Sequence, residues 1–181
     1  MASIITGCCE TLRNVAGCGD QTILKLCFDK LIKEKLSIHD QGEILSALSN
    51  VKLDVFGREL FSTFQDTYTD LLQKWNKGET LSNLESSIFK QIGALFTKLA
   101  DEVTAIEVLQ RVLLNKPLIE SMEICMQNVE YFLQDVNLTA VSCMLHALRK
   151  IQDSRTEIQD DPSLLRLSDP ILNCICSSYY Y

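Results

Sequence analysis

"EILSALSNVKLD", Glu43 to Asp54, and "CMLHALRKIQDS", Cys143 to Ser154, follow one pattern. Leu45, Ala47, Leu48 and Val51 of the first lie over Leu145, Ala147, Leu148 and Ile151 of the second. Apolar residues at these intervals share one face of a helix but fall on both faces of a strand. The rest of the chain has the same character. Only 7 Gly and 3 Pro occur among 181 residues, too few to punctuate a series of tight β-hairpins. The expected class is therefore all-α, with amphipathic helices joined by brief loops.

Working outward from the repeated phrase, each segment supplies one helix. Ile5, Cys8, Cys9, Leu12, Val15 and Ala16 define the first stripe, which Gly17 and Gly19 end. Asp20 is expected to cap a second helix burying Leu24, Cys27, Phe28 and Leu31. A third starts near Asp40 and buries Ile44, Leu45 and Leu48. A long helix then carries Phe56, Leu60, Phe61, Phe64, Tyr68, Leu71, Leu72 and Trp75, the richest apolar stripe in the chain. After the loop "NKGET" (Asn76 to Thr80), Leu81, Leu84, Ile88, Ile92, Leu95 and Leu99 mark a further helix. Asp101 is expected to cap the next, and Pro117 suits the first turn of the one after. Asn137 is placed as the cap of the "CMLHALRKI" helix. Residues 1–160 form the helical, repeat-like domain, and 161–181 a short helical or partly disordered tail.

The echo is not confined to two segments. Leu12, Asn14 and Val15 lie over Leu48, Asn50 and Val51, and Leu24 and Phe28 over Leu60 and Phe64. In "QIGALFTKLADE", Ile92, Ala94 and Leu95 lie over Leu45, Ala47 and Leu48. One helical pair cannot bury its whole apolar surface alone, so pairs with a period in the range of roughly thirty to fifty-odd residues stack and the pattern recurs. The expected fold is stacked antiparallel helix pairs; the alternative is an irregular helical bundle. The Ala within the phrase is expected to let one helix backbone approach another.

On "EILSALSNV", "IGALFTKLAD" and "CMLHALRKI" the chain resembles the armadillo and HEAT class of α-solenoids. It lacks that class's usual proline and basic landmarks between helices. The resemblance implies a binding scaffold with no chemistry of its own. The leucine-rich pairs are also similar to RNA-binding octotricopeptide-type repeats, and an RNA-binding helical repeat is the second functional reading. Charge counts against it: the net charge is −7, and no run of Lys and Arg offers an electrostatic footprint for phosphates.

Enzymatic motifs are missing. No G-x-S-x-G, Walker loop or G-x-G-x-x-G occurs. Cys143 and His146, with Cys174 and Cys176, lack the paired C-x-x-C spacing of a zinc site, so neither metal nor cofactor is expected. Cys8, Cys9, Cys27, Cys125 and Cys143 fall on apolar stripes, where Cys acts as a small hydrophobe. Acylation of Cys8 and Cys9 lacks a myristoylation glycine or polybasic support. "MASIITGCCETLRNV" is not read as a secretory signal, and no apolar run is long enough to span a membrane. A reducing compartment, cytoplasmic or nuclear, is the expected location, with thiols unbridged.

The candidate partner-binding residues are Phe56, Phe61, Tyr68 and Trp75, because aromatic anchors dominate interface energetics. A peptide or helix of another protein is the expected partner. The apolar "ILNCIC" is a poor polar cap for a stack, so self-association, or a chain belonging to a longer array, is also expected.

Overall fold

The computed structural model describes residues 3–15, 21–33, 35–49, 51, 58–102, 116–128 and 137–153. Seven helices occupy them: α1 (Ile4–Val15), α2 (Gln21–Leu31), α3 (Ile38–Leu48), α4 (Arg58–Asn76), α5 (Asn83–Glu102), α6 (Lys116–Gln127) and α7 (Leu138–Asp153). No strand occurs among the described residues. The protein is all-α.

Local chemistry sets the helix ends. Serines open three of the helices. The Thr6 amide donates to Ser3 Oγ at 3.1 Å ahead of α1. At α3, the Asp40 amide donates to Ser37 Oγ while the Ser37 amide donates back to Asp40 Oδ2, at 3.1 and 2.9 Å. Ser82 and Glu85 repeat this reciprocal capping at α5, at 3.1 and 2.8 Å. Each box satisfies amides that a helix start would otherwise leave without partners. The cap of α3 is therefore Ser37, with Asp40 already inside the first turn, rather than a start at Asp40. Asp101, expected to open a helix, instead lies inside α5, which continues to Glu102. The expected caps at Gly17, Gly19 and Asp20 lie outside the described residues.

The turn after α4 explains its glycine. Gly78 takes φ +78°, a region that side chains with a Cβ rarely adopt. The Gly78 amide donates to Trp75 O at 2.9 Å and the Glu79 amide to Lys74 O at 3.2 Å, the paired bonds of a Schellman stop. The chain then returns as α5, antiparallel to α4. Lys74 Nζ meets Glu85 Oε1 at 2.8 Å near the turn, and Tyr68, farther from it, packs its ring on Phe89 and Phe96.

Helix α5 is the hub, packing on α3, α4 and α7. Three neighbours require a wide buried arc, and Ile88, Phe89, Ile92, Leu95, Phe96 and Leu99 supply it. Phe89 and Phe96, fully buried, fall outside the stripe read from the sequence. Leu84, inside that stripe, stands 42% exposed. Leu81 is buried ahead of the helix rather than on it.

The echoing segments fall on α3, α5 and α7, which lie side by side. They run in the same direction. Gly42 faces Ile88, and farther along Lys98 Nζ donates to Ser49 O and Val51 O at 3.2 and 2.7 Å. This ammonium meets the carbonyl-rich, electronegative end of α3. Between α5 and α7, Gly93 lies against Ala140, and one turn on Thr97 Oγ1 donates to Cys143 O at 2.9 Å. Helix α1 packs on both α2 and α3, and α4 packs on both α5 and α6.

The backbone approach between α5 and α7 belongs to Gly93, not to the Ala of the phrase. A Cβ on Gly93 would sit 2.8 Å from the Ala140 carbonyl oxygen. The neighbouring Ala94 is exposed, whereas its counterpart Ala47 is buried.

Candidate interaction surface

The structure takes two of the expected aromatic anchors, Tyr68 and Trp75, away from any partner. Tyr68 is fully buried and Trp75 is 3% exposed. Tyr68 lies 4.8 Å from the Phe89 ring and 5.8 Å from Phe96, both tilted, and Trp75 meets Phe89 edge-on at 6.2 Å. These are the separations and angles at which aromatic quadrupoles attract. The Tyr68 hydroxyl donates to Ala140 O at 3.0 Å, so even its polar tip is engaged inside the core. Burial pushes this phenol well above its ordinary pKa, which keeps it protonated as a donor. The two rings join α4 to α5 and, through the hydroxyl, to α7. Phe56 lies outside the described residues, as does the side chain of Phe61 on α4.

The open surface lies instead on the outer side of α3, α5 and α7. One groove of about 350 Å³ runs between α3 and α5, along Ser46, Ser49, Gln91, Ala94 and Lys98. A broader, shallower one of about 600 Å³ lies between α5 and α7, along Ser87, Lys90, Gln91, Ala94, Thr139 and Cys143. Gln91 and Ala94 line both, so the grooves adjoin across the exposed ridge of α5. Most of the exposed lining of this surface is apolar, with Leu45, Leu48 and Leu95 at the base of the first groove, and hydroxyls, two carboxamides and two ammonium groups are set along it. Such residues look like an ordinary solvated helix face in the sequence, and only the parallel placement of three helices turns them into a shared surface.

Exposed large apolar side chains occur on other helices too. Ile4 and Leu26 are each 61% exposed and Ile23 40%, all on α1 and α2. Isolated exposed Ile124 lies on α6. Cys143 is half-buried and His146 exposed on α7, while Cys174 and Cys176 lie outside the described residues. Among the described residues, no group of three or more His, Cys, Asp or Glu converges as metal ligands would. Asn137, 5% exposed, stands directly before α7, and its carbonyl accepts from Ala140 and Val141. No helix among the described residues is long and apolar enough to cross a membrane.

Comparison with known proteins adds no relative: the chain matches no family model, no curated protein and no solved structure.

Proposed function

We propose that the protein is a non-catalytic interaction scaffold, built of stacked helix pairs, that presents a helical surface to a peptide or helix of another protein. The observation that carries this reading is the adjoining pair of grooves over α3, α5 and α7. A row of parallel helices offers clefts at regular spacing, and an added helix or extended segment can lie in such a cleft. Buried Tyr68 and Trp75 support that surface from behind instead of touching the partner. The acidic balance of the chain favours protein over nucleic acid. The compartment proposed is the cytoplasm.

Ala94→Arg tests the reading, because it fills both grooves at once from an exposed helical position. The wild type and this variant, both shown to be folded by circular dichroism, are immobilised and exposed to cell lysate with and without nuclease. Proteins that survive nuclease on the wild type and vanish on Ala94→Arg support the scaffold. Identical captures on both sink it. Capture abolished by nuclease turns the reading to RNA.

A further inference from the structure

We propose that the groove between α3 and α5 takes an acidic amphipathic helix of another protein, its aliphatic side chains seated on Leu45, Leu48 and Leu95 and its carboxylates meeting Lys98 and, across the ridge of α5, Lys90. This partner class rests on the scaffold reading above and names the chemistry that the surface recognises.

The charge of the surface is opposite to that of the chain. Over the whole sequence 24 acidic residues outnumber 17 basic ones. Among the described residues that line the two adjoining grooves, no Asp or Glu occurs, and the charged groups are Lys90 and Lys98. Nearby carboxylates of α3 and α5 are engaged with other partners. Glu43 of α3 pairs with Arg13 of α1 at 3.4 Å, and Glu85 of α5 pairs with Lys74 of α4 at 2.8 Å. Asp40 closes the cap of α3 with Ser37. Attraction and repulsion between exposed charges are screened over about 8 Å at physiological salt. A segment lying on this surface therefore meets its local sign before the net charge of the chain.

The spacing of the lysines suits a helix. Lys90 and Lys98 are eight residues apart on α5, about 12 Å along its axis. Carboxylates two turns apart on a second helix have the same separation. Lys90 is exposed, and carbonyls at the end of α3 place the Lys98 ammonium, which donates to Ser49 O at 3.2 Å and Val51 O at 2.7 Å. Ala94, one helical turn from each lysine, keeps the ridge between them low. A long lysine stem lets its ammonium follow a carboxylate while the methylenes cover apolar surface. Leucines at the groove base match an aliphatic stripe, which leaves the partner's acidic side chains on the flank of that stripe. Nucleic acid fits less well. It would find two cations, and among the described lining residues no aromatic ring on which a base could stack.

Fluorescence anisotropy of labelled synthetic peptides on the full chain tests the proposal. Two peptides of about 18 residues, five helical turns, carry the same leucine stripe. One has Glu at the flanking positions and the other Lys. The Glu peptide is expected to bind wild type about tenfold more tightly than the Lys peptide. Lys90→Glu should weaken the Glu peptide about three- to tenfold and strengthen the Lys peptide. Ala94→Trp, bulky and uncharged, should weaken the Glu peptide by about tenfold or more. Circular dichroism checks that both variants fold, and the two peptides on wild type decide the acidic preference even if a variant does not. Equal affinity for both peptides, lost in Ala94→Trp, would overturn the acidic partner and leave the scaffold reading standing. Failure of both peptides to bind would overturn the helical occupant, and the lysate capture on Ala94→Arg then judges the scaffold separately. A Glu peptide held equally by wild type, Lys90→Glu and Ala94→Trp sits elsewhere on the chain and overturns the proposal. So would its displacement by a single-stranded oligouridylate, which assigns the surface to RNA. Dimerisation that the peptide blocks and Ala94→Trp abolishes would give the groove to a second copy and overturn it likewise.

Discussion

The α5–α7 seam and the α1–α2 hairpin are made from the same kind of amphipathic helix, yet they are joined differently. At the seam a glycine meets an alanine, Thr97 donates to a carbonyl of the neighbouring helix, and Tyr68 reaches in from α4 to bond Ala140. At the hairpin, Leu12, Leu24 and Phe28 are buried while three large aliphatic side chains, Ile4, Ile23 and Leu26, remain exposed. Apolar burial is non-directional and supplies the attraction in both places. Close backbone contact and buried hydrogen bonds supply register, and register tolerates less substitution. The contrast teaches that a hydrophobic stripe can join two helices without specifying one arrangement, and that small residues and donors do the specifying.

The largest effect is expected at Tyr68, where the seam and the α4–α5 hairpin meet. Tyr68→Ala removes a fully buried ring stacked on Phe89 and Phe96 and is expected to cost about 3–5 kcal/mol in urea denaturation. Tyr68→Phe keeps the ring and loses only the bond to Ala140, for about 1 kcal/mol. Equal losses from the two variants would mean that the hydroxyl, not ring packing, holds the three helices together.

Glycine gives the sharpest form of the comparison, since one substitution is expected to have opposite signs in the two regions. At Gly93 a Cβ would lie 2.8 Å from the Ala140 oxygen, and a backbone atom cannot swing aside. Gly93→Ala should therefore destabilise by about 1–3 kcal/mol despite its better helix propensity. At Gly7, exposed in the middle of α1, nothing lies within 4 Å. Gly7→Ala should stabilise by about 0.5–1 kcal/mol. Denaturant midpoints of the two variants measure both signs. A neutral Gly93→Ala would show that α7 can slide on α5, and the distinction between the regions would fail.

Much of this architecture was legible in the sequence because helix period is a local property. The stripes through Leu24, Phe28 and Leu31 and through Ile44, Leu45 and Leu48 are buried as their spacing implies. Misreadings arose where a residue's fate depended on the number of neighbours. Phe89 and Phe96 are buried because α5 has partners on three sides, which periodicity along one helix cannot reveal. Tyr68 and Trp75 were read as groove anchors because α4 holds more aromatic surface than one stripe needs; the surplus faces a second layer of helices instead of a ligand. The Ser82–Glu85 box stands in the sequence as S-x-x-E but was not read there, and the grooves could not be. Ser87, Lys90, Gln91 and Ala94 acquire a shared surface only when α3 and α7 flank them.

Acid should produce the smallest effect, and it asks whether the capping carboxylates of α3 and of the seam helix α5 matter electrostatically. Asp40 at α3 is held below its ordinary value of 3.8, chiefly by the hydrogen bonds it accepts from Ser37. Glu85 at α5 is held below 4.5, first by Lys74 and then by the Ser82 amide. A carboxylate whose pKa is lower folded than unfolded stabilises the fold fully above its unfolded value, and that contribution is lost as pH falls through the folded one. Stability should thus be level above about pH 5 and decline below about pH 4. Both groups keep contact with solvent, so screening keeps each contribution small, and added salt should shrink the Glu85 share more than the Asp40 share. Asp40→Asn and Glu85→Gln, followed by urea titration at neutral and acid pH, should each flatten part of the decline. A slope unchanged in both variants would assign the acid sensitivity to other carboxylates and leave the two caps as geometry without electrostatic weight.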